Sequence, residues 1–191
     1  MRRIGITGGI GSGKSVVSRL LRIMGYSVYD TDSEAKRLME SSLEVVQKLS
    51  ECFGRDIYHN GRLNRGLLSS RVFGESDKIV LLNSIVHPVV HFDFYRWSES
   101  LNEEICFVES AILYESRFDE LVDEVWTVTA PEELRISRVR QRSGLTEEEI
   151  KKRMAAQLSE EEKQRRAAHI IWNDGNVSVI HRVLSLLKSL E

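Results

Sequence analysis

The stretch that decides the fold is Gly8-Gly9-Ile10-Gly11-Ser12-Gly13-Lys14-Ser15, which matches the pattern G-x-x-x-x-G-K-S at every fixed position. Its glycines leave backbone N–H groups accessible to phosphate oxygens, and a following helix directs the positive end of its dipole at the same anion. We expect Lys14 to reach the β- and γ-phosphates of a nucleotide and the Ser15 hydroxyl to ligate Mg²⁺. The alternative is a glycine-rich turn that binds nothing, which requires four fixed residue types to coincide by chance.

The stretches on either side of this loop predict a strand before it and a helix after it. Residues 3–7 form a short apolar run of the strand type, and Gly25 stands where a helix C-terminus belongs. Between the loop and Gly25, apolar residues recur on one helical face: Val16, Val17, Leu20, Leu21 and Met24. Strand, loop and helix in this order are what a phosphate-binding loop of an α/β protein requires.

Composition restricts the class of protein. The chain has 191 residues, is 41% hydrophobic and carries a formal net charge of −2, so no overall positive field attracts nucleic acid or an anionic membrane. Cys52 and Cys106 lack the spacing of a zinc site, and no run approaches the roughly 20 apolar residues of a membrane span. We therefore expect a soluble, cytoplasmic protein, as a monomer or small homo-oligomer, without nucleic-acid or membrane partners.

The remaining patterns predict a core with two additions. Four further β-prone runs lie at residues 26–29, 105–108, 125–128 and 170–172, which with the first strand make a parallel five-stranded sheet flanked by helices. The predicted core comprises residues 1–32, 103–137 and 167–191. Residues 33–102 have a helical pattern and are interpreted as an insertion that binds the second substrate, and residues 138–166 as a helical lid.

Carboxylates end two of the predicted strands. Asp30 and Asp32 follow the second strand and Glu109 follows the third, and the carboxyl ends of parallel strands meet at the edge that carries the loop. Asp32 is the candidate base for an attacking hydroxyl, whereas Asp30 is more typical of a helix cap. Glu109 is a candidate to bind a water of the Mg²⁺ shell.

The insertion carries candidate contacts for an anionic acceptor. Arg62 and Arg65 flank a turn at Asn60-Gly61, and a solvated surface role is favoured for Arg62 more than for Arg65. Pro88 is predicted to begin a helix, which leaves His87 outside it, as a structural or substrate-orienting residue. On this basis His87 and His91 are not expected to form a metal pair.

A basic stripe follows the fourth predicted strand. Arg135, Arg138 and Arg142 are spaced three and four residues apart and share one helix face, which suits a polyphosphate. We favour a functional role for Arg138 and Arg142 and a solvated, salt-bridged role for Arg135 and Arg140.

Beyond a break at Ser143-Gly144, one helix is predicted over residues 147–166, with its charged run 160–166 on a solvated face. The turn Asn173-Asp174-Gly175 lies at the nucleotide edge and is a candidate contact for adenine.

With these pieces placed, nearly the whole chain resembles the dephospho-coenzyme A kinases. The resemblance is carried by the phosphate loop from Thr7 to Ser15, Asp30-Thr31-Asp32, Gly61-Arg62-Leu63-Asn64-Arg65, His87-Pro88, Arg138, Arg142, Gln157, Lys163 and Asn173-Asp174-Gly175. It implies transfer of the γ-phosphoryl group of ATP to the ribose 3′-hydroxyl of dephospho-CoA, the last step of coenzyme A biosynthesis.

The resemblance also implies a role for each matching position. Asp32 acts as base, with Lys14, Arg138 and Arg142 stabilising the transferred group. Thr7, Asp32, Arg65 and His87 bind the acceptor, and Ser15 and Glu109 serve the metal. The nucleotide contacts are Gly9, Ile10, Gly11, Ser12, Gly13, Lys14, Ser15, Val16, Asn173 and Gly175.

Two other functions share the loop. Another small-metabolite kinase, acting on a nucleoside monophosphate or a sugar acid, has the same core and differs only in the acceptor lobe. A nucleotide-dependent switch protein is disfavoured because a GTPase needs an N-K-x-D segment and a D-x-x-G segment, and the sequence contains neither.

Overall fold

The computed structural model describes residues 1–190, and the chain divides into two compact units. The first, here called the core unit, comprises Met1–Tyr29 and the chain from Asn102 onward. The second, here called the insertion unit, comprises Asp30–Leu101.

The strands and helices follow one another along the chain as listed here. The strands are β1 Arg2–Thr7, β2 Val28–Asp30, β3 Tyr58–His59, β4 Arg62–Leu63, β5 Ile105–Glu109, β6 Glu124–Thr129 and β7 His169–Trp172. The helices are α1 Lys14–Ile23, α2 Thr31–Ser41, α3 Leu43–Phe53, α4 Arg65–Val72, α5 Ser76–Ser100, α6 Glu132–Ser143, α7 Glu147–Ala155, α8 Glu160–Arg166 and α9 Val179–Lys188. Short 3₁₀ turns occur at Arg55–Ile57 and Phe118–Leu121.

A five-stranded sheet forms the centre of the core unit, in the order β2-β5-β1-β6-β7. Strand β1 pairs in parallel with both β5 and β6, and β6 pairs in parallel with β7. The predicted α/β fold with a five-stranded sheet is therefore confirmed. Because β1 is central, the loop that follows it lies at the middle of the carboxyl edge, where ligands of doubly wound sheets bind.

Apolar side chains from the sheet, α1 and α9 form the main hydrophobic cluster. Phe107 packs edge-on against both Tyr26 and Trp126, with ring centroids 5.5 and 5.6 Å away. Burial of each such side chain stabilises the fold by roughly 1.5–3 kcal/mol. The buried members are Ile4, Ile6, Val17, Leu21, Phe107, Trp126, Val128, Ile171, Val183, Leu186 and Leu187.

The insertion unit consists of four helices and a small hairpin. The antiparallel pair β3–β4 turns at Asn60-Gly61, and the two turn residues have φ angles of 49° and 75°. Positive φ at both central residues is what a tight two-residue hairpin turn requires, so this pair is well suited to its position. No helix among residues 1–190 is both long and apolar enough to cross a membrane.

The prediction that Pro88 begins a helix was wrong. Helix α5 runs unbroken over 25 residues with Pro88 inside it, and His87 is therefore helical. Proline lacks the N–H that would bond to the carbonyl of Ser84, and its ring crowds that carbonyl. The helix continues because apolar residues on both sides of the proline are buried, among them Val86, Val90 and Phe94.

A second correction concerns the helix predicted over residues 147–166. The chain forms α7 and α8 instead, separated by residues 156–159. Ser159 caps α8 by accepting a hydrogen bond from the N–H of Glu162 at 3.2 Å. The spacing of Ser159 and Glu162 is a helix-start signal inside an otherwise helical pattern, and capping by serine is strong enough to begin a new helix there.

Candidate active site

Close packing explains why the phosphate-binding loop is rich in glycine. A Cβ atom added at Gly8 would collide with the carbonyl oxygen of Val128, and one added at Gly13 with the side-chain amide of Asn173. Both glycines also have positive φ angles, 143° and 96°. Any other residue at these two positions would be strained and would displace a neighbouring strand or turn.

Lys14 folds back across the loop. Its Nζ donates hydrogen bonds to the carbonyl oxygens of Gly8 at 2.7 Å and Gly9 at 3.4 Å. Ser15 is exposed one residue further on, in the first turn of α1. The first N–H groups of a helix have no acceptor inside the helix. The start of α1 therefore presents backbone donors beside the Lys14 cation. The arrangement suits a polyphosphate.

Some of the predicted nucleotide contacts already have partners within the protein. The N–H of Ile10 donates to Oε1 of Gln157 at 3.0 Å, and the N–H of Ser12 to the carbonyl of Gly9 at 3.1 Å. The hydroxyls of Thr7 and Ser12 are buried without a hydrogen-bond partner among the described residues. The N–H of Val16, another predicted contact, donates to the carbonyl of Gly13 at 2.9 Å. Phosphate binding by backbone N–H groups therefore falls to the later part of the loop and to the residues of α1 before Val16.

The prediction of a solvated, salt-bridged Arg135 is confirmed for the ion pair and wrong about its exposure. Its side chain is buried, and it forms an ion pair with Glu160 across 3.2 Å. Glu160 also accepts a hydrogen bond from the Thr129 hydroxyl at 3.0 Å. Arginine spacing alone does not reveal this pairing, because the acidic partner lies on another helix.

Arg138 and Arg142 have different environments. Arg138 donates to the carbonyl of Asn173 at 2.9 Å and contacts that of Gly11 at 3.5 Å, so it links the loop to the turn after β7. Arg142 is exposed and has no hydrogen bond or ion pair with any residue in 1–190. Arg142 is thus free to meet a ligand, whereas Arg138 is already part of the loop's support.

The charged run of α8 was predicted as a solvated face, which is confirmed for Glu161 and Arg165 and wrong for Lys163. Lys163 is fully buried and donates to the carbonyl of Ala111 at 3.0 Å, with Glu115 3.3 Å away. Arg166 pairs with Asp119 at 2.6 Å and lies 4.1 Å from the ring centroid of Tyr114. These contacts bind α8 to the segment that follows β5.

The turn after β7 contacts the phosphate-binding loop directly. The amide nitrogen of Asn173 donates to the carbonyl of Ser12 at 2.9 Å, and its own N–H bonds to the carbonyl of Thr129 at 2.8 Å. Gly175 completes the turn with a φ of 90°. These bonds hold the side chain of Asn173 against the loop, and the contact of this turn with adenine stays a prediction.

Asp30 and Asp32 have separate roles in the insertion unit. Asp30 caps α2, accepting hydrogen bonds from the N–H groups of Asp32 and Ser33 at 3.1 and 3.2 Å. Asp32 is exposed and does not cap the helix. The preference for Asp30 as the cap is therefore confirmed, and the carboxylate of Asp32 is left for other chemistry.

A cavity of about 410 Å³ lies within the insertion unit and is lined by both Asp32 and Arg65. Arg65 donates to Glu40 at 2.9 Å and to the carbonyl of Lys36 at 3.2 Å, so its guanidinium is already oriented. The rest of the lining is mostly apolar: Ala35, Lys36, Met39, Leu63, Leu68, Ser69, Val72 and Leu82. Such a lining suits a molecule with both polar and apolar parts.

His87 does not line this cavity. It is half-buried, and burial lowers its pKa, with a smaller lowering from His91 one turn along α5. Because both histidines lie on one helix, the reason given against a metal pair does not hold. The described residues nevertheless contain no group of three or more His, Cys, Asp or Glu side chains placed to hold a metal ion.

Glu109 ends β5 opposite Ile6 of β1, two residues before the loop begins. The next residue, Ser110, donates its N–H to the carbonyl of Ile6 at 3.0 Å, which fixes the end of this strand against the central one. Carboxylate and hydroxyl oxygens are the ligands Mg²⁺ accepts, and it takes few of them from the protein when phosphates supply the rest. Ser15 and Glu109 fit that donor chemistry.

A phosphate-binding loop on the central strand of a parallel sheet defines a P-loop nucleotide-binding core. The dephospho-CoA kinase family model matches residues 2–178. Relatives named dephospho-CoA kinase are 40% identical in Porphyromonas gingivalis, over all of this chain and 95% of the relative, and 39% identical in Corynebacterium diphtheriae, over 96% and 94%. The chain belongs to the dephospho-CoA kinase family.

Solved structures agree on the fold. TT1252 from Thermus thermophilus is 36% identical, with a TM-score of 0.87 over 99% of this chain and 97% of that one. The dephospho-CoA kinase from Campylobacter jejuni has a TM-score of 0.74 at 23% identity, over 100% and 98% of the two chains. A shikimate kinase from Acinetobacter baumannii, at 16% identity and a TM-score of 0.57 over 100% and 93%, shares only the P-loop kinase fold.

Proposed function

We propose that this kinase transfers the γ-phosphoryl group of ATP to the ribose 3′-hydroxyl of dephospho-CoA, giving coenzyme A and ADP. The observation that supports the acceptor most directly is the cavity of the insertion unit, where a carboxylate and an oriented guanidinium share a largely apolar wall. An acceptor with a phosphorylated nucleoside and a long, weakly polar arm presents the matching chemistry.

The core unit supplies the phosphate side of the reaction. In this proposal Lys14 leaves the carbonyl oxygens of Gly8 and Gly9 and binds the β- and γ-phosphates, while the N–H groups at the start of α1 cradle the same oxygens. Arg142 has the freedom to approach the transferring group, and Arg138 holds the loop against the turn that carries Asn173. Gly175 belongs to the same turn, and we assign the adenine contact to this turn.

The insertion unit supplies the acceptor side. Asp32 accepts the proton of the attacking 3′-hydroxyl, and its exposure leaves the carboxylate accessible. Arg65 binds an anionic group of the acceptor. Thr7 and His87 remain proposed acceptor contacts, with His87 outside the cavity lining and Thr7 buried.

Mg²⁺ would be held by the Ser15 hydroxyl and, through a water, by Glu109. When bound, it neutralises charge on the β- and γ-phosphates. The proposed lid, residues 138–166, includes α7 and α8. Because Glu160 and Lys163 bond α8 to the rest of the core unit, a closing movement would be carried by α7.

The proposal is tested by an acceptor panel. Purified protein with ATP and Mg²⁺ is offered dephospho-CoA, AMP, shikimate or gluconate, and ADP release is measured. We expect much faster turnover with dephospho-CoA than with the other three. Activity with one of the others and none with dephospho-CoA would overturn the assignment.

The role of Asp32 is tested by Asp32→Asn, with Asp77→Asn as the matched control. Both aspartates are exposed and occupy the second position of a helix, so both changes remove the same favourable charge from a helix start. We expect Asp32→Asn to lower kcat by about 10²-fold or more with ATP binding retained, and Asp77→Asn to leave kcat unchanged. A normal kcat for Asp32→Asn would mean that another group takes the proton.

A further inference from the structure

We propose that Gln157 is a positioning residue for nucleotide binding, because it fixes the first half of the phosphate-binding loop through the N–H of Ile10. This inference rests on the proposed nucleotide site and adds to it a residue that never touches the nucleotide.

The contact to the loop is a well-formed hydrogen bond. Oε1 of Gln157 accepts from the N–H of Ile10 at 3.0 Å, and the side chain is only partly exposed. Ile10 lies between Gly9 and Gly11, whose small size leaves the loop backbone with little stiffness of its own. A single acceptor at Ile10 therefore has a large influence on the direction in which the following N–H groups point.

The opposite end of Gln157 is anchored as well. Its amide nitrogen donates to the carbonyl of Ala111 at 3.4 Å, and that carbonyl also accepts from the buried Lys163 at 3.0 Å. The amide of Gln157 therefore joins the loop to the segment after β5, which Lys163 of α8 also holds. The orientation of the side chain is thus set by its surroundings.

Close packing is a second support for the same part of the loop, Gly9 to Gly11. The buried pair of Arg135 and Glu160 packs against Gly9 so closely that a Cβ there would collide with the carboxylate. A Cβ on Gly11 would come within 2.5 Å of the carbonyl oxygen of Arg135. Packing thus restricts the two glycines, and Gln157 supplies the hydrogen bond between them.

The position of Gln157 in the chain gives the contact its functional interest. It lies inside the proposed lid, in the break between α7 and α8, and α8 is the helix that ion pairs hold to the rest of the core unit. A movement of α7 that shifts residue 157 would pull on Ile10 and alter the loop. Nucleotide binding and the position of α7 are therefore expected to influence one another.

The test compares Gln157→Met, Gln157→Glu and the control Gln141→Met. Methionine has a similar length and accepts no strong hydrogen bond, while glutamate keeps an acceptor oxygen. Gln141 is exposed on α6, and its side chain has no hydrogen bond with any other described residue. The readouts are hydrogen exchange at the Ile10 N–H without nucleotide, the KM values for ATP and for the acceptor, and the melting temperature.

We expect Gln157→Met to speed exchange at Ile10 and to raise the KM for ATP about fivefold, as loss of one hydrogen bond predicts, with the acceptor KM unchanged. Gln157→Glu should keep slow exchange at Ile10, and Gln141→Met should match the parent protein in every readout. Normal exchange and a normal KM for ATP in Gln157→Met would overturn the inference, and so would an equal rise in both KM values. Failure of the parent protein to bind ATP would instead overturn the proposed function.

Discussion

Partners, more than sequence spacing, decide what each arginine of α6 does. Arg135 is buried against Glu160, Arg138 is bonded to two carbonyl oxygens, and Arg142 is exposed without a partner among residues 1–190. A guanidinium that already has carbonyl or carboxylate partners contributes to the shape of the site. A guanidinium without such partners can stabilise the negative charge that develops on a phosphoryl group during its transfer.

We therefore expect Arg142→Ala to lower kcat at least about 10-fold while the melting temperature stays that of the parent protein. Arg140→Ala is the control, because Arg140 is exposed on the same helix two residues away. Steady-state kinetics and thermal unfolding of the three proteins provide the measurement. An unchanged kcat in Arg142→Ala would mean that this side chain takes no part in catalysis.

His87 predicts a dependence of stability on pH. Burial lowers its pKa below the ordinary value of 6.5. As the pH falls, His87 therefore takes up a proton in the unfolded chain before it does so in the folded protein. The stability that follows from the neutral imidazole is present above about pH 6.5 and is lost as the pH falls towards the lowered pKa. Acidification should therefore cost more stability in the parent protein than in His87→Gln.

Urea unfolding at pH 7.5 and pH 5.5 measures this difference. His59→Gln is a suitable control, because His59 is exposed on β3 and its replacement should leave the fall in unfolding free energy unchanged. Equal falls for the parent protein and His87→Gln would contradict the assignment of the acid sensitivity to His87.

At the scale of elements, the two long helical patterns show where local rules fail. Pro88 was expected to begin a new helix, yet α5 continues through it because residues on both sides are buried. Residues 147–166 were expected to form one helix, yet Ser159 starts a second one. In the first case tertiary packing outweighs a local breaker, and in the second a cap outweighs continuous helical propensity.

Pro88→Ala should raise the free energy of unfolding by about 1–2 kcal/mol. Alanine restores the missing N–H and removes the ring clash, worth about 3 kcal/mol, and the gain is partly offset by greater freedom of the unfolded chain. Pro131→Ala is the matched control, since Pro131 precedes α6 and interrupts no helix. Chemical denaturation of both variants gives the comparison, and a loss of stability in Pro88→Ala would show that the packing of α5 requires the proline.

At the scale of the whole molecule, the division into two units predicts how ligands act on stability. ATP at 100 times its dissociation constant should stabilise the folded state by about 2.7 kcal/mol, which for a chain of this length raises the melting temperature by about 5–10 °C. The loop belongs to the core unit, so if the units melt separately, only the transition of the core unit should move.

Differential scanning calorimetry with Mg²⁺ and increasing ATP tests this expectation. Lys14→Met serves as the control, since it removes the cation proposed to bind the phosphates and should greatly reduce the shift. A melting temperature that does not respond to ATP in the parent protein would contradict nucleotide binding at the loop.

The sequence predicted best those features whose structure is determined by residues a few positions apart. The loop from Gly8 to Ser15, the turn at Asn60-Gly61 and the cap at Asp30 depend on neighbours within a few residues, and all three have the expected local structure. Pairs between distant elements were missed. No local pattern joins Arg135 to Glu160, because that contact depends on how α8 lies against β6.

The same limit applies to Gln157. It stood out only as one position in a family pattern, and its contact with Ile10 spans 147 residues of sequence. A glutamine next to a helix start gives no sign of an acceptor for a backbone N–H so far away. Burial and hydrogen-bond partners had to be seen in three dimensions.

Complete burial of Lys163 also has a chemical consequence. Acylating reagents need a solvent-exposed, deprotonated amine, and this amine is enclosed between α8 and the segment after β5, while Lys151, Lys152 and Lys188 are exposed. Mass spectrometry after brief acylation should find the exposed lysines modified and Lys163 intact, until the core unit opens. When acylation is faster than reclosing, the rate at which a label enters Lys163 reports the opening rate of that unit, and when it is slower the same rate reports the population of the open form.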